Sequence, residues 1–130
     1  MKLLLISLSL LLNCGNDSFS DNFTKAHNIK RISSYWSTSS QCDATPCISA
    51  SGKNICKSNQ KIIAISQDIV KTFPLGSKVY LQIEGYYSHL SGEYYVEDVM
   101  NKRYINSIDI YRKDKKLIDP KLIKNAIIYQ

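Results

Sequence analysis

The sequence predicts an all-β domain. Nine tyrosines stand among many isoleucines and valines, a mixture that suits pleated, half-buried surfaces better than helices. The apolar residues come in short runs or at every second position, which is strand periodicity. Glycine, asparagine and serine interrupt these runs at short intervals and supply turns. At 130 residues and 44% hydrophobic, the chain can bury one modest core. Many short strands with little helix point to a barrel or a sandwich, and pattern alone does not choose between them.

The amino terminus is read as an address. Met1-Lys2 precedes an apolar run from Leu3 to Leu12, too short for a mature membrane span. Asn13 and Cys14 follow, then the polar Gly15-Asn16-Asp17-Ser18. This resembles a bacterial lipoprotein signal covering residues 1–13, with Cys14 as the lipidated residue and residues 14–27 as a flexible tether. Asn13 departs from that pattern, because a small residue is more usual there. A signal cleaved near Ser18 to Ser20 is the rival. Either way the protein is expected in the cell envelope, outside the cytoplasm, at an outer membrane or in a periplasm. Export permits disulfides. Cys42, Cys47 and Cys56 allow three pairings, and one bridge is expected to pin the loop from Cys42 to Cys56. No Cys-x-x-Cys pair is present, and His27 and His89 lie far apart; no metal site and no cofactor is indicated.

His27 to Ser37, with Ile29, Ile32, Tyr35 and Trp36, is expected as the first strand. Ser37 to Pro46 is polar and turn-rich, and Cys47 to Asn54 is a run of small residues ending in a glycine turn. Lys61 to Ser66 reads as a strand buried on both faces. Gln67 to Phe73 fits one or two helical turns with Ser66 as N-cap, stopped by Pro74-Leu75-Gly76. Ser77 to Glu84 alternates Val79, Leu81 and Ile83 against polar neighbours, a half-buried strand. Gly92 to Tyr111 reads as two strands joined by a polar loop, each carrying one aspartate, Asp98 and Asp109. After the charged segment from Lys113, Asp119-Pro120 is a helix-start signal with Leu122, Ile123, Ala126 and Ile127 at helical spacing. Ile127 to Tyr129 could instead form a closing strand.

The net charge of +6 suits an anionic envelope polymer, a membrane surface or nucleic acid. The lysines are scattered, apart from a small cluster at Lys113, Lys115 and Lys116, and no nucleic-acid-binding signature accompanies them. Nucleic acid is therefore not expected as a partner.

Three segments, in order, resemble one family. Ser49-Ala50-Ser51-Gly52 is similar to the Thr-Ala-x-Gly element of the three-aspartate (3D) domain. Ile63-Ala64-Ile65-Ser66 and Phe73-Pro74-Leu75-Gly76-Ser77-Lys78-Val79-Tyr80 resemble its Ile-Ala-Val-Asp and Ile-Pro-Leu-Gly-Thr-x-Val-Tyr elements. Val96-Glu97-Asp98 and Asn106-Ser107-Ile108-Asp109-Ile110-Tyr111 resemble its last two aspartate segments. The resemblance runs from Ile32 to Tyr111 and implies a small six-stranded double-psi β-barrel with one or two short helices. The domain would span residues 28–130, with its core at 32–111. Relatives of that superfamily include membrane-bound lytic transglycosylase A, rare lipoprotein A and the expansins. Two departures stand out: Ser66 occupies the place of the first aspartate, and Val99-Met100-Asn101-Lys102-Arg103 replaces a glycine-rich loop.

The resemblance implies action on peptidoglycan or another envelope polysaccharide, by lytic transglycosylation or O-glycosyl hydrolysis. Cleavage needs a carboxylic acid that keeps its proton near neutrality, which a partly apolar setting provides. Asp98 takes that role by resemblance, and Asp109 is expected to support it. Glu97, assigned to the opposite face of its strand, is left out. Tyr35 and Trp36 are candidates for stacking on sugars, and Lys102 and Arg103 for gripping acidic groups. Each has a plainer reading: Asp98 and Asp109 as backbone acceptors, the tyrosine and tryptophan as core, the cations as a solvated turn. The alternative function is a non-catalytic wall-binding module. A monomer is expected, held to a membrane by its lipid.

Overall fold

The computed structural model describes residues 23–37 and 47–130. The signal segment, Cys14 and Cys42 lie outside the described residues. The strands are β1 (Ala26–Asn28), β2 (Arg31–Tyr35), β3 (Ile62–Ile65), β4 (Lys78–Gly85), β5 (Gly92–Val99), β6 (Ser107–Tyr111) and β7 (Ile123–Tyr129). They form one mixed seven-stranded sheet in the order β1-β7-β4-β5-β3-β6-β2. The fold class is all-β, as the residue pattern predicts.

Alternation explains which face is buried. Val79, Leu81 and Ile83 of β4, Tyr94 and Val96 of β5, Ile108 and Ile110 of β6, and Ala126 and Ile128 of β7 are all buried in one cluster with Ile32, Ile63, Ile65 and Phe73. Fully burying each large apolar side chain stabilises by roughly 2 kcal/mol. β3 is the centre of this arrangement, and all four of its residues are buried. It runs parallel to β5 and antiparallel to β6. Ile55, Ile62, Ala64 and Met100 are also buried but stand outside the main cluster.

The link between β1 and β2 bonds to both sides of the sheet. The Ile29 amide donates to the Ala126 carbonyl at 2.8 Å, and the Lys30 amide to the Asn106 carbonyl at 2.9 Å. Residues 23–27, expected from the sequence as the end of a tether, join this edge. Phe23 packs against Tyr129 at 5.2 Å between ring centroids, and β1 pairs antiparallel with β7.

Three expectations are refined. Gly92 to Tyr111 does form two strands joined by a loop, β5 and β6, but they are not neighbours, because β3 lies between them. The one or two turns expected after Ser66 form as a single 3₁₀ turn, Gln67–Ile69, with Ser66 at the N-cap position but without a side-chain cap bond. The Ser66 hydroxyl accepts instead from the Ser107 amide at 3.0 Å. The helix offered by Asp119-Pro120 is also a single 3₁₀ turn, Pro120–Leu122, with Asp119 accepting from the Lys121 amide. The closing-strand alternative is what forms: β7 runs antiparallel to β4, and burying Ala126 and Ile128 outweighs the local helical spacing.

Candidate functional site

Register across four strands assembles the site. Asp109 of β6 aligns with Ser33 of β2 on one side and with Ala64 of β3 on the other. Ala64 in turn aligns with Asp98 of β5. Residues in register on adjacent strands project to the same face. Ser33, Asp109, Ala64 and Asp98 therefore form one row, on the face opposite Ile63, Ile65, Ile108 and Ile110. The two aspartates sit two strand spacings apart, about 9.5 Å. The neighbouring row carries Tyr35 and Tyr111, paired in register with ring centroids 5.4 Å apart, and continues to Ile62 and Tyr95.

Asp98 reaches this face through a bulge. The pairing of β3 with β5 shifts between Ile63 and Ala64, from Val96 to Asp98, and skips Glu97. The bulge reverses the alternation that follows it. Glu97, assigned by simple alternation to the far side, instead lies under the same loop as Asp98. The Ser51 hydroxyl donates to Glu97 Oε2 at 2.9 Å, and Lys53 Nζ lies 3.5 Å from the same oxygen. The Ala50 amide donates to Asp98 Oδ1 at 3.1 Å, and the Val99 amide donates to it at 3.0 Å. An open groove of about 630 Å³, bordered by Ser51, Gly52, Lys53, Leu75 and Gly76, ends against Glu97.

That loop is closed by a disulfide between Cys47 and Cys56, one of the three expected pairings. A bridge pairing Ile48 with Asn54 and the buried side chain of Ile55 hold it down.

Asp109 has a different environment. The Ser33 hydroxyl donates to Asp109 Oδ1, and Arg31 Nη1 donates to Ser33 Oγ at 3.0 Å. Burial pushes the Asp109 carboxyl above the ordinary aspartate range; the Ser33 hydrogen bond and the Arg31 charge oppose this but do not cancel it. The residue is half-buried and keeps part of its surface in solvent. Burial of this kind favours the protonated form over the charged one.

The other expected residues are placed as follows. Tyr35 lies on the site face beside Tyr111. Trp36 follows β2 directly and is half-buried. Lys102 and Arg103 are exposed in the turn between β5 and β6. Arg103 Nη2 donates to the Tyr104 hydroxyl at 3.1 Å. The structure thus gathers Asp98, Asp109 and Tyr35 on one face. It adds Arg31, Ser33, Tyr95 and Tyr111, which the residue pattern does not single out, and Glu97, which alternation sets aside. The signal for Arg31 and Ser33 is the alternation in Arg31-Ile32-Ser33-Ser34-Tyr35, but only register shows what that strand faces.

No family model, curated protein or solved structure matches the chain.

Proposed function

We propose that the protein is an exported envelope enzyme that cleaves peptidoglycan glycan strands, with Asp109 as its acid and base. The observation that carries this reading is the Asp109 carboxyl: half-buried, displaced toward the protonated form, and in one row with Asp98. Family resemblance alone assigns the acid role to Asp98. Its Oδ1 is already occupied by the Ala50 and Val99 amides.

In the proposed step Asp109 delivers its proton to the glycosidic oxygen as the bond from C1 breaks. The Asp109 carboxylate then takes the proton of the sugar's own C6 hydroxyl, and O6 bonds to C1. The product is a 1,6-anhydro end and no water is consumed. Asp98 stabilises the positive charge developing on the ring. Hydrolysis is the variant in which water replaces O6; a row spacing of about 9.5 Å leaves room for that water, as in inverting pairs. The tyrosines beside the row offer faces for sugar rings.

The accompanying fold reading is the six-stranded double-psi barrel. It is supported by the ordered resemblance of three segments and by the link at Ile29 and Lys30, which bonds to β7 on one side and to the start of β6 on the other. Counting β1 and β2 as one interrupted strand gives six staves. Export, and lipidation at Cys14, belong to the same proposal.

The second reading is a wall-binding module without catalysis. It is favoured by Ser66 in place of a third carboxylate, since the Ser66 hydroxyl is fully buried and tied to the Ser107 amide. The test is incubation of the purified protein with sacculi, with soluble fragments analysed by mass spectrometry. Anhydro-muropeptides should appear, and Asp109→Asn should lower their release at least about 100-fold. Retention on sacculi with no fragments, unchanged by Asp109→Asn, would leave only the binding module.

A further inference from the structure

Two guanidinium groups share one aromatic ring at the start of β2. Arg31 Cζ lies 5.3 Å and Arg103 Cζ 4.9 Å from the centroid of the Tyr104 ring. Arg103 is exposed and Tyr104 half-buried. Among the described residues the ion pairs join Lys53 to Glu97, Lys78 to Glu93 and Arg112 to Asp114; neither Arg31 nor Arg103 takes part in one. Two cations on one ring leave the local charge positive: the ring face offsets only part of it, and the Arg31 charge also acts on Asp109. Arg31 uses one donor on Ser33 and Arg103 one on the Tyr104 hydroxyl. A guanidinium carries five N–H donors in a planar fork that fits carboxylate or phosphate oxygens.

The position ties this pair to the catalytic row. Arg31 and Ser33 are two residues apart on the same face of β2, a rise of about 6.7 Å, and Ser33 donates to Asp109. We propose that Arg31, Arg103 and Tyr104 form an anion subsite that takes a carboxylate or phosphate substituent about one sugar unit from the cleavage point. The substrate is then an acidic polysaccharide, and a neutral β-glucan or chitin is a poor one. The proposal rests on the glycan-cleaving reading for its carrier, though not for the anion itself.

Binding of the full chain is measured against three probes. These are glycan strands freed of secondary polymers but retaining their lactyl and peptide carboxylates, a poly(glycerol phosphate), and a neutral chitin oligosaccharide. The wild type should bind an acidic probe about tenfold more tightly than the neutral one. Arg103→Gln should remove that preference and flatten its dependence on salt, leaving the neutral probe unaffected. Which acidic polymer loses affinity tells the carboxylate source from the phosphate source. If Arg103→Gln weakens acidic and neutral probes equally, or neither, the subsite is overturned. Inorganic phosphate provides an arm independent of any glycan, read by shifts of the Tyr104 ring resonances. Shifts in the wild type that vanish in Arg103→Gln, with no glycan bound, would sink the glycan reading and keep the anion site. Absent shifts, with no polymer bound, would overturn the site itself.

Discussion

Replacing both Cys47 and Cys56 with serine tests how the site loop is held. The bridge spans a sequence separation of 9. Closing a loop of that length removes about 2.6 kcal/mol of unfolded-state entropy at 25 °C in the chain-entropy account. The loop carries hydrogen bonds of its own, among them the Gly52 amide on the Ser49 carbonyl at 2.9 Å and the contact between the Ser49 and Ser51 hydroxyls at 2.8 Å. The Ile55 amide donates to the Cys47 carbonyl at 2.9 Å, and the Ser49 amide to the Lys53 carbonyl at 2.9 Å. Its hold on the sheet is the Ala50 amide on Asp98, the Ser51 amide on the Glu97 carbonyl and the Ser51 hydroxyl on the Glu97 side chain. Buried Ile55 is its apolar anchor. The double variant should therefore lose roughly 2–3 kcal/mol in urea unfolding, with an m-value equal to or somewhat above that of the wild type because the unfolded chain is less compact, and melt about 10 °C lower. Exchange of the Ala50 and Ser51 amides should accelerate, because opening the loop no longer strains a covalent closure. An unchanged urea midpoint together with unchanged protection of these two amides would refute the reasoning. The loop would then be held by its contacts alone, and the bridge would be incidental to Asp98.

Two further outcomes follow from the geometry. Burial holds the folded Asp109 carboxyl above its unfolded value, so the folded protein binds that proton more tightly. Stability from this group is present below the unfolded pKa and falls as pH rises through the folded pKa. Asp109→Asn should flatten that fall by about 1.4 kcal/mol per pH unit of displacement; parallel urea-midpoint curves for variant and wild type from about pH 3.5 to 8 would contradict it. Gly85 has φ +113°, and a β-carbon there would meet the Leu122 carbonyl oxygen at 2.6 Å. Gly85→Ala should cost roughly 2–3 kcal/mol in thermal unfolding; a variant as stable as wild type would mean that the β4 to β7 edge relaxes freely.

Local pattern is enough for much of the fold. The alternation of Val79, Leu81 and Ile83 marks β4 without reference to any other part of the chain, and the unbroken apolar run of β3 marks a strand covered on both faces. The turn residues around Gly76, Gly85 and Gly92 mark the breaks, each with a positive φ. These features lie within a few residues of one another, where period and backbone sterics act directly. The tail is ambiguous locally, because Ala126 and Ile127 fit a helix as well as a strand. Pairing with β4 decides it.

The site is legible in part. Asp98 and Asp109 stand out as carboxylates among strand formers, since a buried charge needs a reason. Their relation is not legible: closeness in sequence suggests a hairpin, yet β3 separates them and brings Ser33 beside Asp109. The bulge at Glu97 is invisible to alternation, because one skipped residue reverses every face beyond it. Environment sorts the carboxyls as well, with backbone amides on Asp98 and burial with a single hydroxyl on Asp109. Composition and period thus determine the strands and the suspicion of acid chemistry. Long-range pairing alone decides which acids share a face, which one burial displaces toward its protonated form, and which cations stand beside them.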